Sequence, residues 1–213
     1  MGGFLAQYGS QIVTLTIEHL WLTCSAMLIA ALVGIPLGVL LTRYPGWAKP
    51  VLGLANILQT IPSLAMFGFL LPLPWLGESA ARIAIVALTA YALLPIIRNT
   101  YAGIRGIDPA ISDVAKAIGM SGMQRLIKVE LPLSASFILA GLRTATVICV
   151  GIATIAAAVG AGGLGEFIFR GVASVDNRLV LAGAVPAAGL ALAADGLLGL
   201  LERWVRVPGV GRS

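Results

Sequence analysis

Apolar residues fall in long runs separated by short polar stretches, and the runs are of similar length. Leu20–Leu41, Val51–Leu71, Ala80–Ile97, Phe137–Val159 and Leu179–Leu201 each hold about 18–23 residues, against the roughly 20 that a helix needs to cross a 30 Å hydrocarbon layer. Period-two alternation in segments of about ten, the mark of a membrane β-barrel, is absent. The pattern predicts an all-α polytopic membrane protein with about five transmembrane helices. Residues 1–18 carry no Lys or Arg and read as an extracytoplasmic N-terminal segment. The run after them is long enough to be a retained helix rather than a cleaved signal. Residues 200–213 read as a cytoplasmic tail.

Charge sets the expected orientation. With the N-terminus outside, the inner segments hold Arg43, Lys49, Arg98, Arg105, Lys116, Arg125, Lys128, Arg203, Arg206 and Arg212. The outer segments hold only Arg82, Arg170 and Arg178, which is a positive-inside bias with the C-terminus in the cytoplasm. Trp21, Trp47, Trp75 and Trp204 lie at or just beyond run ends, where an indole prefers the headgroup layer. Composition agrees: 11% of residues are charged, too few to coat a soluble surface that averages about 25%. The net charge of +5, spread over loops, reads as orientation and not as affinity for nucleic acid. Cys24 and Cys149 both fall in apolar runs and imply no disulfide framework. His19 is the only histidine, so no metal site is expected. It also leaves an intramembrane enzyme without a catalytic constellation.

The longest polar stretch, Arg98–Leu133, predicts two short helices. Asp108 can cap the first, with Pro109 at its first position and Gly119 ending it. Ile111, Val114, Ala115 and Ile118 share one helical face, while Ser112, Asp113 and Lys116 lie elsewhere around the helix. Ser121 and Gln124 form a capping box for the second helix, whose apolar face is Met123, Leu126 and Ile127. Pro132 introduces the fourth span. Periodicity alone leaves two readings open, a hairpin lying on lipid headgroups or a docking element for a soluble partner.

The spacing Asp113-Val114-Ala115, three residues, Gly119, nine residues, Val129-Glu130-Leu131-Pro132 resembles the EAA loop of binding-protein-dependent ABC importer permeases. That family's pattern is E-A-A, three residues, G, nine residues, I-x-L-P. Ala115, Gly119, Leu131 and Pro132 match, while Asp113, Val114 and Val129 depart mildly in size. Residues 59–65, 92–101 and 160–168 resemble the branch that carries osmoprotectants such as glycine betaine, choline and carnitine. The resemblance covers about 19–199, a type-1 ABC transmembrane domain.

It implies a non-enzymatic permease in the bacterial cytoplasmic membrane, paired with a second permease subunit, identical or paralogous. A soluble or lipid-anchored binding protein would deliver solute from outside. A cytoplasmic ABC ATPase would bind ATP and Mg, leaving no cofactor in this chain. Asp113, Val114, Ala115, Lys116 and Gly119 would dock into a cleft on that ATPase, with Leu131 and Pro132 closing the motif. The alternatives are an ABC permease for an amino acid or other small polar solute and, further off, a secondary transporter.

Polar residues inside the runs complete the candidates. Arg143 and Asp195 lie at similar depth in the fourth and fifth runs and are expected either to pair or to snorkel. Asn56, Gln59, Thr60 and Ser63 cluster around Pro62 and are expected to line a pathway or to glue helices. Tyr91 is read as core packing beside them, or as pathway lining. No aromatic cluster suited to a quaternary ammonium lies within a run, so solute selection is expected in the separate binding protein. The stretch Gly160–Gly165 lacks the ending of a P-loop and is expected to be a flexible docking or gating segment.

Overall fold

A computed structural model of the chain describes residues 2–76 and 79–205, with side chains from Gln7 onward. The described residues are helical with short connections, and their long apolar helices number four, or five if a bent pair counts as one span. The helices are α1 (Gly2–Arg43), α2 (Pro45–Thr60), α3 (Ser63–Leu70), α4 (Ala80–Arg105), α5 (Pro109–Ala117), α6 (Gly122–Arg125), α7 (Leu131–Ala156), α8 (Gly165–Ser174) and α9 (Asn177–Val205).

α4 sits between α1 and α7, and small residues set both seams. In lipid the hydrophobic effect does not drive helices together, so close backbone approach and dispersion must do it. α1 presents Leu22, Ala26, Ala30, Gly34 and Gly38 at four-residue spacing, which is one helical stripe. A methyl group added at Gly38 would lie 2.6 Å from Cβ of Thr100, so a larger residue there would push α1 away from α4. α7 offers a matching stripe to α4: Gly141 meets Pro95 and Asn99, and Ala145, Cys149 and Ala153 share a cluster with Ala84, Ala87, Leu88 and Ala92. α9 packs on α7 and α8 and turns Leu181, Val185, Leu192 and Leu197 outward, as a lipid-facing helix can.

The second apolar run is not one continuous helix. α2 stops at Thr60, α3 restarts at Ser63, and their axes meet at 100°. Pro62 is the cause: it has no N–H to continue the ladder and drives the preceding residue out of the helical region. Ile61 accordingly sits at φ −69°, ψ 127°.

Two other boundaries differ from the hydropathy reading. α1 continues back to Gly2, so residues 2–18 form its first turns. Tyr8, Ile12 and Leu15 there pack with Leu164 and Phe167. The single turn of α6 passes through a widened π-turn, Leu126–Glu130, straight into α7. Pro132 follows directly, where it has no N–H to offer the Lys128 carbonyl and its ring would crowd that oxygen in a regular helix. Residues 206–213 of the expected tail lie outside the described residues.

The Gly160–Gly165 segment is held rather than loose. Gly162, Gly163, Leu164 and Gly165 are buried. The Gly163 N–H donates to Glu18 Oε2 at 3.0 Å, and His19 packs against the same glycine. A Cβ at Gly165 would fall 1.8 Å from the Thr154 carbonyl oxygen, so only glycine lets α8 fold back onto the end of α7.

Candidate functional site

The α5–α6 hairpin lies at the end of the bundle where α4 stops and α7 begins. Asp108 Oδ1 accepts from the Ala110 N–H at 2.9 Å, capping α5, and Pro109 takes the first position. At the other end Gly119 adopts φ +82°, its N–H donates to Lys116 O and the Met120 N–H reaches Ala115 O, a Schellman stop. The capping box is made: Ser121 N–H donates to Gln124 Oε1 at 2.8 Å and Gln124 N–H to Ser121 Oγ at 3.3 Å. Both short helices are therefore held at their ends by their own residues.

The expected apolar face of α5 divides. Ala115 is buried, whereas Val114 and Ile118 stand 62% and 69% exposed and Ile111 is also uncovered. Asp113 and Lys116 pair with each other at 2.9 Å on an exposed flank. Leu131 and Pro132 open α7, with Leu131 half-buried and Pro132 exposed. A rigid stub with an uncovered aliphatic tip has the form of a docking element.

The elbow at Ile61–Pro62 borders an open cavity of about 410 Å³ lined by Gln59, Thr60, Ile61, Pro62, Ser63, Tyr91, Ile148 and Ile152. The structure thus brings Gln59, Thr60, Ser63 and Tyr91 together and leaves Asn56 exposed on α2, off the cavity wall. Gln59 Nε2 donates to the main-chain oxygen of Tyr91 at 2.8 Å, and Tyr91 Oη donates to the carbonyl of Ile61 at 2.5 Å. Tyr91 is mostly buried, and its hydroxyl acts on the backbone of the elbow.

Arg143 and Asp195 meet between α7 and α9. Nε lies 2.5 Å from Oδ1 and Nη2 2.7 Å from Oδ2, a bidentate fork. Glu202 Oε2 stands 3.5 Å from Nη1. Gly199 makes room, since a Cβ there would come within 3.3 Å of the same nitrogen.

With this geometry in hand, residues 34–207 match the family model of the binding-protein-dependent transport system inner membrane component. The chain belongs to that family. It is accordingly a membrane permease component of an ABC importer and not an enzyme. Among this inner membrane component family, the chain is 42% identical to the choline transport system permease protein OpuBB of Bacillus subtilis (strain 168), over 98% of this chain and 95% of the relative. It is 46% identical to the glycine betaine/carnitine/choline transport system permease protein OpuCD of the same organism, over 95% of this chain and 88% of the relative. Its fold is that of the inward-facing MetNI methionine ABC transporter, with TM-score 0.82 at 22% identity over 92% of this chain and 97% of that one.

For an inner membrane component of this kind, two polar contacts lie outside the residues singled out from sequence. Glu130 occupies the variable place in the I-x-L-P part of the motif, yet it is buried and bonded to Arg43 and Arg125. The available signal was an acid on the threshold of an apolar run, with Arg125 five residues before it. At the opposite end of the bundle Glu18 and His19 bridge α1 to the glycine segment and to Val150 O, the latter at 3.1 Å.

Proposed function

We propose that this permease forms the membrane path of an ATP-driven importer for a compatible solute of the glycine betaine, choline or carnitine class, in the bacterial cytoplasmic membrane. The α5–α6 hairpin docks a separate cytoplasmic ATPase that holds ATP and Mg. A soluble or lipid-anchored binding protein supplies the solute, and a second permease subunit, identical or paralogous, completes the path. The observation that carries the coupling part is the uncovered pair Val114 and Ile118 on a helix capped at both ends. Aliphatic side chains this exposed on a rigid stub fit insertion into a partner's cleft. The names of the close relatives support the solute class. The elbow cavity, with Gln59, Thr60 and Ser63 on its wall, supplies polar surface at membrane depth for a water-filled path.

A transport unit that opens alternately to each side would turn ATPase closure into rigid-body movement of the spans. The test places cysteines at Val114 and Ile118 in the assembled complex. Cross-links to the ATPase together with ATP-dependent uptake of labelled choline, glycine betaine or carnitine are expected. Cross-linkers along Ser112–Ser121 that never capture the ATPase in an intact complex would remove the docking role.

A further inference from the structure

Three side chains from three elements meet where α1 ends. Glu130 closes the widened turn before α7 and is only 6% exposed. Its Oε1 accepts from Arg125 Nε at 3.0 Å and from Arg43 Nη1 at 3.2 Å, and its Oε2 accepts from Arg43 Nη2. Its main-chain oxygen accepts from Ser134 Oγ at 2.7 Å, which fixes the turn. Arg43 is the last residue of α1 and Arg125 the last of α6.

One guanidinium would suffice to neutralise a buried carboxylate. Two, donated from elements 82 positions apart (125 − 43), make the carboxylate a joint. Packing does not do this work. α1 and α6 face each other across an open groove of about 550 Å³, walled by Ile35, Pro36, Val39, Leu40, Met123 and Leu126 among others. A gap of that size leaves apolar side chains with too few partners to hold two elements in register. Among the described residues the other ion pairs lie elsewhere, within α5 or between α7 and α9.

We propose that Glu130 is a positioning residue that ties α1 to the hairpin. A displacement of α5–α6 then reaches α7 through continuous backbone and reaches α1 through the Arg43–Glu130–Arg125 joint, and the inner ends of the two spans move as one unit. This rests on the hairpin being the element that the ATPase moves.

The test uses the whole complex, with its ATPase and binding protein, in proteoliposomes. Arg43→Gln severs the joint from α1 and leaves Glu130 paired with Arg125, so the fold is spared an uncompensated charge. ATP hydrolysis is expected to persist while solute taken up per ATP falls about three- to tenfold, within the range by which single residues modulate coupling. Arg43→Lys, which keeps a charged donor, should recover part of the loss. A second measurement is independent of the solute. Spin labels at Leu40→Cys and Thr144→Cys, in a Cys24→Ser background, report the spacing of α1 and α7 with and without ATP plus vanadate. The wild type should keep one spacing in both states, and Arg43→Gln should not. An Arg43→Gln complex with wild-type uptake per ATP and one fixed spacing would overturn the joint. A wild-type complex that takes up none of choline, glycine betaine and carnitine counts against the solute class alone, because the label spacing still decides the joint.

Discussion

Gln59 donates its side-chain amide to the main-chain oxygen of Tyr91, 2.8 Å away on another helix. That oxygen lacks its ordinary partner, since the residue four positions on is Pro95 and has no N–H. Tyr91 returns the favour with its hydroxyl at the carbonyl of Ile61, bared by the break at Pro62. One carbonyl is left free by a proline four residues on and the other by the break between α2 and α3, and each is satisfied by a side chain from the opposite helix. Each bond offsets the several kcal/mol that a polar group left unpaired in an apolar surrounding would cost.

Removing either donor should loosen the elbow. Gln59→Leu and Tyr91→Phe are each expected to cost about 0.6–1.7 kcal/mol, the span of interhelical hydrogen bonds measured in lipid. Thermal unfolding in nanodiscs reads the loss, and the double variant should cost less than the sum, because the two bonds brace one bend.

The bend itself should depend on Pro62. Pro62→Ala restores an N–H and frees Ile61 to become helical. Labels at Asn56 and Phe69, both exposed, should then move apart toward the roughly 20 Å that 13 residues of straight helix span. An unchanged distance would assign the bend to packing and not to the proline.

At Gly119 the demand is on the backbone alone. Its φ is +82°, and nothing lies within 4 Å of where a Cβ would stand. Gly119→Ala should cost about 1–2 kcal/mol and weaken recovery of the ATPase on co-purification. Gly119→Asn should be milder, because asparagine tolerates the left-handed region. Equal losses from both would point to a steric contact with the partner instead.

Charge reversal tests the α7–α9 fork. Arg143→Asp or Asp195→Arg alone should lower uptake sharply. The double reversal should restore only part of it, since Glu202 now faces a carboxylate in place of the guanidinium it sits 3.5 Å from. Adding Glu202→Gln should complete the recovery. A double reversal no better than either single one would remove the pair from the transport cycle.

Much of this was readable in the chain because the signals are local. Asp108, Gly119 and the Ser121–Gln124 box announce their helix ends within four residues, and the apolar runs announce the spans. What escaped depends on partners distant in sequence or on marks too weak to count. Pro62 is visible, but a 100° turn needs Gln59 and Tyr91 to hold it. α1 extends through Gln7, Ser10, Gln11 and Thr14 because polarity weakens a hydropathy window without ending a helix. α8 has ten residues, too few for periodicity to speak clearly. Glu130 and Arg43 stand 87 positions apart, and nothing local in the chain points from one to the other.

The stripe of Ala26, Ala30, Gly34 and Gly38 along α1 carries a last consequence. Glycine and alanine are the bottom of the size scale, so this strip tolerates change in one direction only, upward. A complete substitution map of the chain should therefore be lopsided: at Gly34 and Gly38 nearly every replacement is harmful, while Leu28 and Leu32, exposed on the same helix, accept most other apolar residues.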